Sequence, residues 1–455
     1  MTNAINFDNK INELLAKAAS ASNDDIDIIL QKASNFEGLT PQEVAVLLHN
    51  EKPEYNAKIF EIAGRIKENI YGNRIVLFAP LYVSDYCING CTYCGFKNEN
   101  NRQRRKLTQE EVKKEVSVLE KMGHKRLVIE AGEDPENCPL DYVLECIDSV
   151  YKMKFKNGEI RRANVNISAM EVADYKRLKD AQIGTYILFQ ETYHKQTYEK
   201  AHVAGPKMDY NYHITAFDRA MEAGIDDVGA GVLFGLYDYK YEVLALMLHN
   251  EHLEENFGVG FHTISVPRIC NTGENAHYPH AVSDSDFLRL VAILRLAVPF
   301  TGMIVSTREE PNMRKQLVKI GISQMSAGSR TQVGGYTEAF EENNVQFTLS
   351  DHREARDVFY WLMEEGILPS FCTACYRSGR SGTRFMQLAK TGNIKDVCIP
   401  NGLLTLKEYA LDYGDERFKN LANKLIDENL NKLDNHEKIK SKLASLSQGE
   451  RDVFI

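Results

Sequence analysis

Residues 74–94, RIVLFAPLYVSDYCINGCTYC, pair an apolar run with a cysteine loop and decide how the rest is read. The run 74–83 is long, β-branched and aromatic enough for a buried strand. The loop carries Cys87, Cys91 and Cys94, separated by three and then two residues. Three thiolates at this spacing can wrap one corner of a [4Fe–4S] cube from a single loop, leaving the fourth iron open to a small molecule. Gly90 and Gly95 permit the tight turns such a loop needs. Zinc is the alternative, but it takes a fourth close Cys or His.

Outward from this stretch, apolar or β-branched runs recur at 126–131, 163–168, 185–190, 228–234, 261–266, 302–307 and 322–328. Polar, helix-compatible stretches such as 108–122 and 213–223 separate them. Eight strands alternating with helices over roughly 250 residues are what an α/β (β/α)8 barrel requires; a doubly wound sheet would also alternate. Polar residues end most runs: Glu130, Glu133, Ser168, Gln190, Glu191, His262, Arg268, Arg308, Ser329 and Arg330. In a barrel those ends form the active-site face. Residues 1–72 read as a helical extension, with a capping box at Thr40–Glu43, an isoleucine-rich face from Ile59 to Ile70 and Gly72 as C-cap. The barrel is expected over 73–345 and a mostly helical C-terminal domain over 346–455, where no strand rhythm is visible. The basic run Arg102 to Lys106 reads as a solvated loop.

Composition narrows the class. The 455 residues carry a formal net charge of −9, with 43% hydrophobic and 26% charged residues, an ordinary globular balance that argues against nucleic acid as a partner. No apolar run approaches about 20 residues and the start has no signal core, so no membrane span and a cytoplasmic address are expected. Nine cysteines, an odd number, point to metal ligation or catalysis rather than disulfides. Six fall in two groups; Cys138, Cys146 and Cys270 read as core thiols.

The second group is Cys372 and Cys375, with Cys398 after a 22-residue spacer. It again supplies three ligands. A closed Cys3His zinc site competes, yet no histidine lies between His352 and His436. A second three-cysteine cluster with an exposed iron is favoured.

The first cysteine motif, with Tyr93 before its last cysteine, resembles that of the radical S-adenosylmethionine enzymes. In that superfamily the methionine amine and carboxylate chelate the open iron, and the reduced cluster splits the cofactor to a deoxyadenosyl radical. The segment Glu130-Ala-Gly-Glu133 resembles the glycine–glutamate segment that holds the methionine amine, and Gly229-Ala-Gly231 the glycine strand near the adenine. With the tail cysteines, the resemblance sharpens to the HydG family, tyrosine lyases of [FeFe]-hydrogenase maturation, along essentially the whole chain. It includes Phe189-Gln-Glu-Thr-Tyr193, His262-Thr-Ile-Ser-Val-Pro-Arg268, Ser306-Thr-Arg-Glu309 and Met325-Ser-Ala-Gly328. The related thiamine-pathway lyase ThiH shares the barrel but lacks the tail cluster.

The resemblance implies cleavage of L-tyrosine to p-cresol and dehydroglycine, and conversion of the latter to carbon monoxide and cyanide on iron. It implies S-adenosylmethionine, a [4Fe–4S] cluster on Cys87, Cys91 and Cys94, and an auxiliary cluster on Cys372, Cys375 and Cys398. That second cluster would bear a labile iron held by free L-cysteine and a histidine, for which His262, read at a strand's C-terminal end, is the candidate. Tyr93, Glu133, Asn166, Ser168, Glu191 and Gly231 become candidate cofactor contacts, and Arg268 and Arg308 carboxylate clamps for substrate. No side chain is assigned to the reacting atoms. Implied partners are hydrogenase maturation proteins as product acceptors and an electron donor such as ferredoxin or flavodoxin. Two other readings are a ThiH-like lyase that stops at dehydroglycine and a non-catalytic iron–sulfur scaffold. After Arg268 the sequence Ile-Cys-Asn-Thr-Gly-Glu-Asn lacks the family's proline-containing continuation.

Overall fold

A computed structural model describes residues 5–269, 278–339, 341–433 and 436–455. The expectation for Cys270, and most of the departure after Arg268, lie outside these. Four helices lead in, Asp8–Ala18, Asn23–Ser34, Pro41–His49 and Pro53–Tyr71. The third starts on the expected capping box, with the Thr40 amide donating to Glu43 Oε2 at 2.8 Å. The fourth ends at Gly72, whose φ of 72° a side chain would strain.

The strands are β1 (Arg74–Ser84), β2 (Arg126–Ala131), β3 (Arg162–Asn166), β4 (Tyr186–Glu191), β5 (Val228–Val232), β6 (Thr263–Ser265), β7 (Gly302–Val305) and β8 (Gln324–Ser326). Each pairs in parallel with the next, and β1 pairs with both β8 and β2, so the sheet closes into an eight-stranded barrel. Helices such as Gln109–Lys121 and Tyr239–Phe257 fill the crossovers. None is long and apolar enough to cross a membrane among the described residues.

β1 shows how the pattern makes the fold. Ile75, Leu77, Ala79, Leu81 and Val83 are at most 1% exposed and belong to the apolar core. The alternate residues point inward: Phe78, Pro80 and Tyr82 line an upper cavity, Arg74 and Val76 a lower one. β7 and β8 repeat the division, with Gly302 and Gln324 below and Ile304 and Ser326 above. A single inward step along each strand, about 7 Å, separates the two cavities.

The tail departs from expectation by adding a strand. β9 (Leu368–Ser370) pairs with Arg74–Val76 of β1, on the edge opposite β8. Pro369 is tolerated because a short edge strand can spare a donor. β9 brings the chain to Cys372 beneath the barrel. The helices Lys395–Asp412 and Glu416–Leu430 then close that end, the first through Ile399 and Tyr409, the second through Phe418, Ala422 and Leu425.

Candidate active site at two mouths of one barrel

At the C-terminal ends of the strands lies a cavity of about 230 Å³ whose wall includes Cys87, Cys91 and Cys94. Their loop is fixed by backbone on both sides. The amides of Gly90 and Thr92 donate to Ala204 and Ala201 at 2.9 Å, and Val203 returns a bond to Gly90 at 3.1 Å. Gly95 donates to Gln346 at 2.8 Å. Gly132 allows the turn after β2 to close on this loop: a Cβ there would stand 2.3 Å from the Tyr86 carbonyl and 3.0 Å from Cys87 Cβ.

The basic run after the loop is not solvated as expected. Arg102 forms a buried ion pair with Asp85, and Arg104 donates to the carbonyls of Asp85, Phe96 and Lys97 at 2.9, 2.7 and 2.5 Å. These guanidiniums stitch the cysteine loop to the end of β1, because a loop of unpaired carbonyls needs donors once buried.

Burial pushes the Cys91 thiol up to about 11 and Cys94 up to about 12. They therefore hold their protons at neutral pH until a cation displaces them. Three soft donors on one wall fit an iron–sulfur cluster with an open iron. Tyr93 also lines the cavity. Its hydroxyl lies 2.8 Å from His202 Nε2, while His202 Nδ1 faces the Tyr198 carbonyl at 2.8 Å. A carbonyl only accepts, so Nδ1 carries the proton and the Tyr93 hydroxyl donates to Nε2. Burial pushes His202 down to about 2, which keeps it neutral.

Glu133, Asn166, Ser168 and Glu191 line the same cavity. Glu133 accepts from Asn89 Nδ2 at 2.6 Å, and burial raises its carboxyl above the usual range. Glu191 sits at φ 67°, beside a register shift in the β4–β5 ladder. Left-handed backbone and bulges of this kind gather at functional sites. Its partner is Lys207, 3.0 Å away, whose ammonium resists the downward pull of burial because Glu191 and the Cys91 thiol oppose it. Gly231 is not part of the wall. A Cβ on it would meet the Phe189 ring at 2.4 Å, so its role is to admit Phe189, which is part of the wall.

The two arginines separate. Arg308 lines the cavity, its guanidinium carbon 3.9 Å from the Phe347 ring centre. Arg268 is not brought to that wall. Glu309 holds its Nε and Nη2 at 3.0 and 2.9 Å, and Asp284 holds Nη2 at 2.6 Å. Sequence reading did not find Lys207, Asn89 or His213, all on the wall. Lys207 and His213 lie on short turns after β4 that have no apolar period to draw attention.

The second cavity, about 50 Å³, lies at the opposite mouth and is lined by Cys372, Cys375 and Cys398. His262 belongs here. β6 begins at Thr263, so His262 stands before the strand and not at its C-terminal end as expected; the apolar run 261–266 overstated the strand by two residues at its start. The correction places it beside the tail cysteines. A hydrogen bond from Cys375 pulls the Cys398 thiol down to about 6, against burial, with Arg74 and Arg380 adding to the pull. A thiolate stabilised in this way suits iron ligation. Among the described residues, no three His, Cys, Asp or Glu side chains converge as they would on one metal ion. Cys138 and Cys146 are buried apart from both mouths.

Comparison with known proteins agrees with this arrangement. Residues 81–249 match the Radical SAM superfamily model, and residues 265–368 that of the Biotin and Thiamin Synthesis associated domain. The 2-iminoacetate synthase of Escherichia coli is 28% identical over 344 residues, 75% of this chain and 89% of that protein. The crystal structure of HydG from Carboxydothermus hydrogenoformans is 38% identical, covering 96% of this chain and 97% of that one, with a TM-score of 0.82. Another HydG crystal structure, a maturase of the [FeFe]-hydrogenase, is 55% identical over 98% of this chain and 99% of that one, with a TM-score of 0.95. A barrel with a three-cysteine loop at one mouth, matched over its whole length at this identity, places the chain in the HydG family of [FeFe]-hydrogenase maturases, within the radical S-adenosylmethionine superfamily.

Proposed function

We propose that this chain cleaves the Cα–Cβ bond of L-tyrosine to p-cresol and dehydroglycine at the upper mouth. The glycine fragment is converted to carbon monoxide and cyanide bound to iron at the lower mouth, for assembly of the hydrogenase cofactor. The observation that carries the reading is the pair of three-cysteine sets, each on its own cavity at opposite ends of one barrel. A lyase that stops at dehydroglycine has no use for the second set.

When bound, S-adenosylmethionine and the [4Fe–4S] cluster supply a deoxyadenosyl radical. Cys87, Cys91 and Cys94 hold three irons of that cluster. Tyr93, Glu133, Asn166, Ser168 and Glu191 orient the cofactor, and Gly231 makes room for Phe189 against it. Arg308 clamps the substrate carboxylate, while Arg268, committed to Glu309 and Asp284, holds the loop that presents Arg308. The barrel walls exclude water from the reacting atoms. Below, Cys372, Cys375 and Cys398 hold the auxiliary cluster, and His262 with a free L-cysteine retains the labile iron. An electron carrier such as ferredoxin or flavodoxin serves the upper cluster, and hydrogenase maturation proteins receive the product.

Anaerobic incubation of the reconstituted protein with S-adenosylmethionine, dithionite and tyrosine is expected to give deoxyadenosine and p-cresol. Absence of both would sink the lyase reading. The double substitution Cys372→Ala, Cys375→Ala should spare p-cresol and abolish iron-bound carbon monoxide and cyanide. Undiminished iron-bound product would remove the tail from the capture step.

A further inference from the structure

Buried polar atoms without hydrogen-bond partners gather around the lower cavity. They include both carboxylate oxygens of Asp227, Nδ1 of His262 and the Nε atoms of Arg74, Arg126 and Arg380. The arginines have other engagements: Arg126 Nη2 donates to the Cys372 carbonyl at 2.9 Å, and Arg380 Nη2 to that of Ile455 at 2.8 Å. Asp227 has none. It is 3% exposed, and His262 Nε2, at 3.8 Å, is too distant for a hydrogen bond. Its neighbour Asp226 turns instead to Ser381, 3.4 Å away. The nearby Tyr376 hydroxyl is bonded to Thr185 at 3.0 Å.

An ionised carboxylate left so costs several kcal/mol of desolvation, and native folds keep such a group where something outside the chain completes it. The backbone holds Asp227 firmly against His262. The two residues immediately precede β5 and β6, which pair. The His262 amide donates to the Val228 carbonyl at 2.9 Å, and the Asp227 carbonyl accepts from Tyr186 at 3.0 Å. An oxygen and a nitrogen donor therefore stand on rigid strand starts, facing the cavity that the three thiols line. Imidazole with carboxylate is a donor set that ferrous iron accepts. Donors sharing one such ion stand about 3 Å apart, so less than 1 Å of movement brings this pair to bonding distance.

We propose that Asp227 is a second protein ligand, beside His262, for the labile iron at the lower mouth. This rests on the reading of that mouth as an iron-binding site. The carboxylate brings negative charge to a cation that the imidazole alone would hold weakly, and the cation supplies the partner the fold withholds.

The test titrates ferrous iron into the reconstituted full-length protein and its Asp227→Asn and His262→Ala variants, counting iron and sulfide per chain. Asp227→Asn should weaken binding of the labile iron by about tenfold or more, with sulfide unchanged. The electron paramagnetic resonance signal that responds to S-adenosylmethionine should also be unchanged, which certifies a folded barrel. Without iron, the same variant should unfold at a temperature equal to or above that of the parent, because it removes an unpartnered buried charge. A clear loss of stability instead would mark Asp227 as structural and overturn the proposal. So would wild-type iron affinity in Asp227→Asn beside a loss in His262→Ala, an outcome that leaves the reading of the mouth intact. If His262→Ala also keeps the iron, that reading fails and the proposal with it.

Discussion

Arg308 and Arg268 stand at equivalent places in the sequence, each just past a strand, and the structure gives them different surroundings. One edges the upper cavity; the other is enclosed by Glu309 and Asp284. Arg308→Lys keeps the charge but loses the planar fork, so the apparent KM for tyrosine should rise about 10- to 100-fold, the equivalent of 1.5–3 kcal/mol. Arg268→Met leaves Glu309 buried and unpaired, and should lower stability by about 3 kcal/mol with the tyrosine KM little changed. Kinetics and thermal unfolding on the two variants check the division; the reverse pattern would exchange the roles. Sequence alone could not separate them, because a bidentate clamp and a buried ion pair use the same residue at the same distance from a strand. The cysteines were legible because spacing is part of their chemistry. Asp227 and Lys207 were not, since a lone carboxylate or ammonium in a turn looks like solvent-facing polarity until burial is known.

At the scale of elements, runs 126–131 and 228–234 were read nearly to their observed ends, since β-branched residues between polar turns leave few alternatives. β6, only three residues long, and β9, Leu-Pro-Ser, were misjudged or missed because neither contains a full alternation. The cysteine loop depends on the element beside it. Gly132→Ala pushes a methyl group into the Tyr86 carbonyl, so the S-adenosylmethionine-responsive cluster signal should be lost while sulfide assigned to the tail remains. A normal signal would show that the turn after β2 yields without disturbing Cys87. The turn after β4 is tied down by Glu242 on the helix Tyr239–Phe257, which accepts from the Tyr193 amide at 2.8 Å and from the Thr192 hydroxyl. Burial pushes its carboxyl up from 4.5 to about 7, despite those bonds. The folded chain thus binds more protons than the unfolded one between those values, and stability falls as pH rises through that window and levels above it. The span is about 3 kcal/mol at most. Thermal unfolding of the apo-protein from pH 5 to 8 should show this decline, and Glu242→Gln should flatten it; parallel curves would contradict the assignment.

The whole molecule is less divisible than its sequence suggests. The tail reads as an appended helical domain because its helices carry ordinary amphipathic faces, whereas the surfaces they meet belong to the barrel. Tyr409 covers Gly123, where a Cβ would stand 2.1 Å from its ring, and Ile399 covers Gly72 at 2.6 Å. Phe371 stacks on Tyr409 at 4.8 Å and meets Phe359 edge-on at 5.1 Å. β9 completes the lower edge of β1, so the strand whose upper end precedes the first cysteine loop is anchored below by the residues that lead to Cys372. Each large apolar side chain uncovered on that floor costs about 1.5–3 kcal/mol, and Phe371, Ile399 and Tyr409 together exceed the margin of a typical fold. Deleting residues 368–455 should therefore not leave a functional lyase core. The truncated chain should aggregate or unfold well below the parent, whereas Cys372→Ala, Cys375→Ala, which keeps every packing contact of the floor except two thiols, should unfold within a few degrees of it. Thermal unfolding and limited proteolysis of the two proteins side by side decide the matter. A soluble, cooperatively folding truncation that still forms p-cresol would show that the barrel closes without its tail, and that the two mouths were joined for capture rather than for folding.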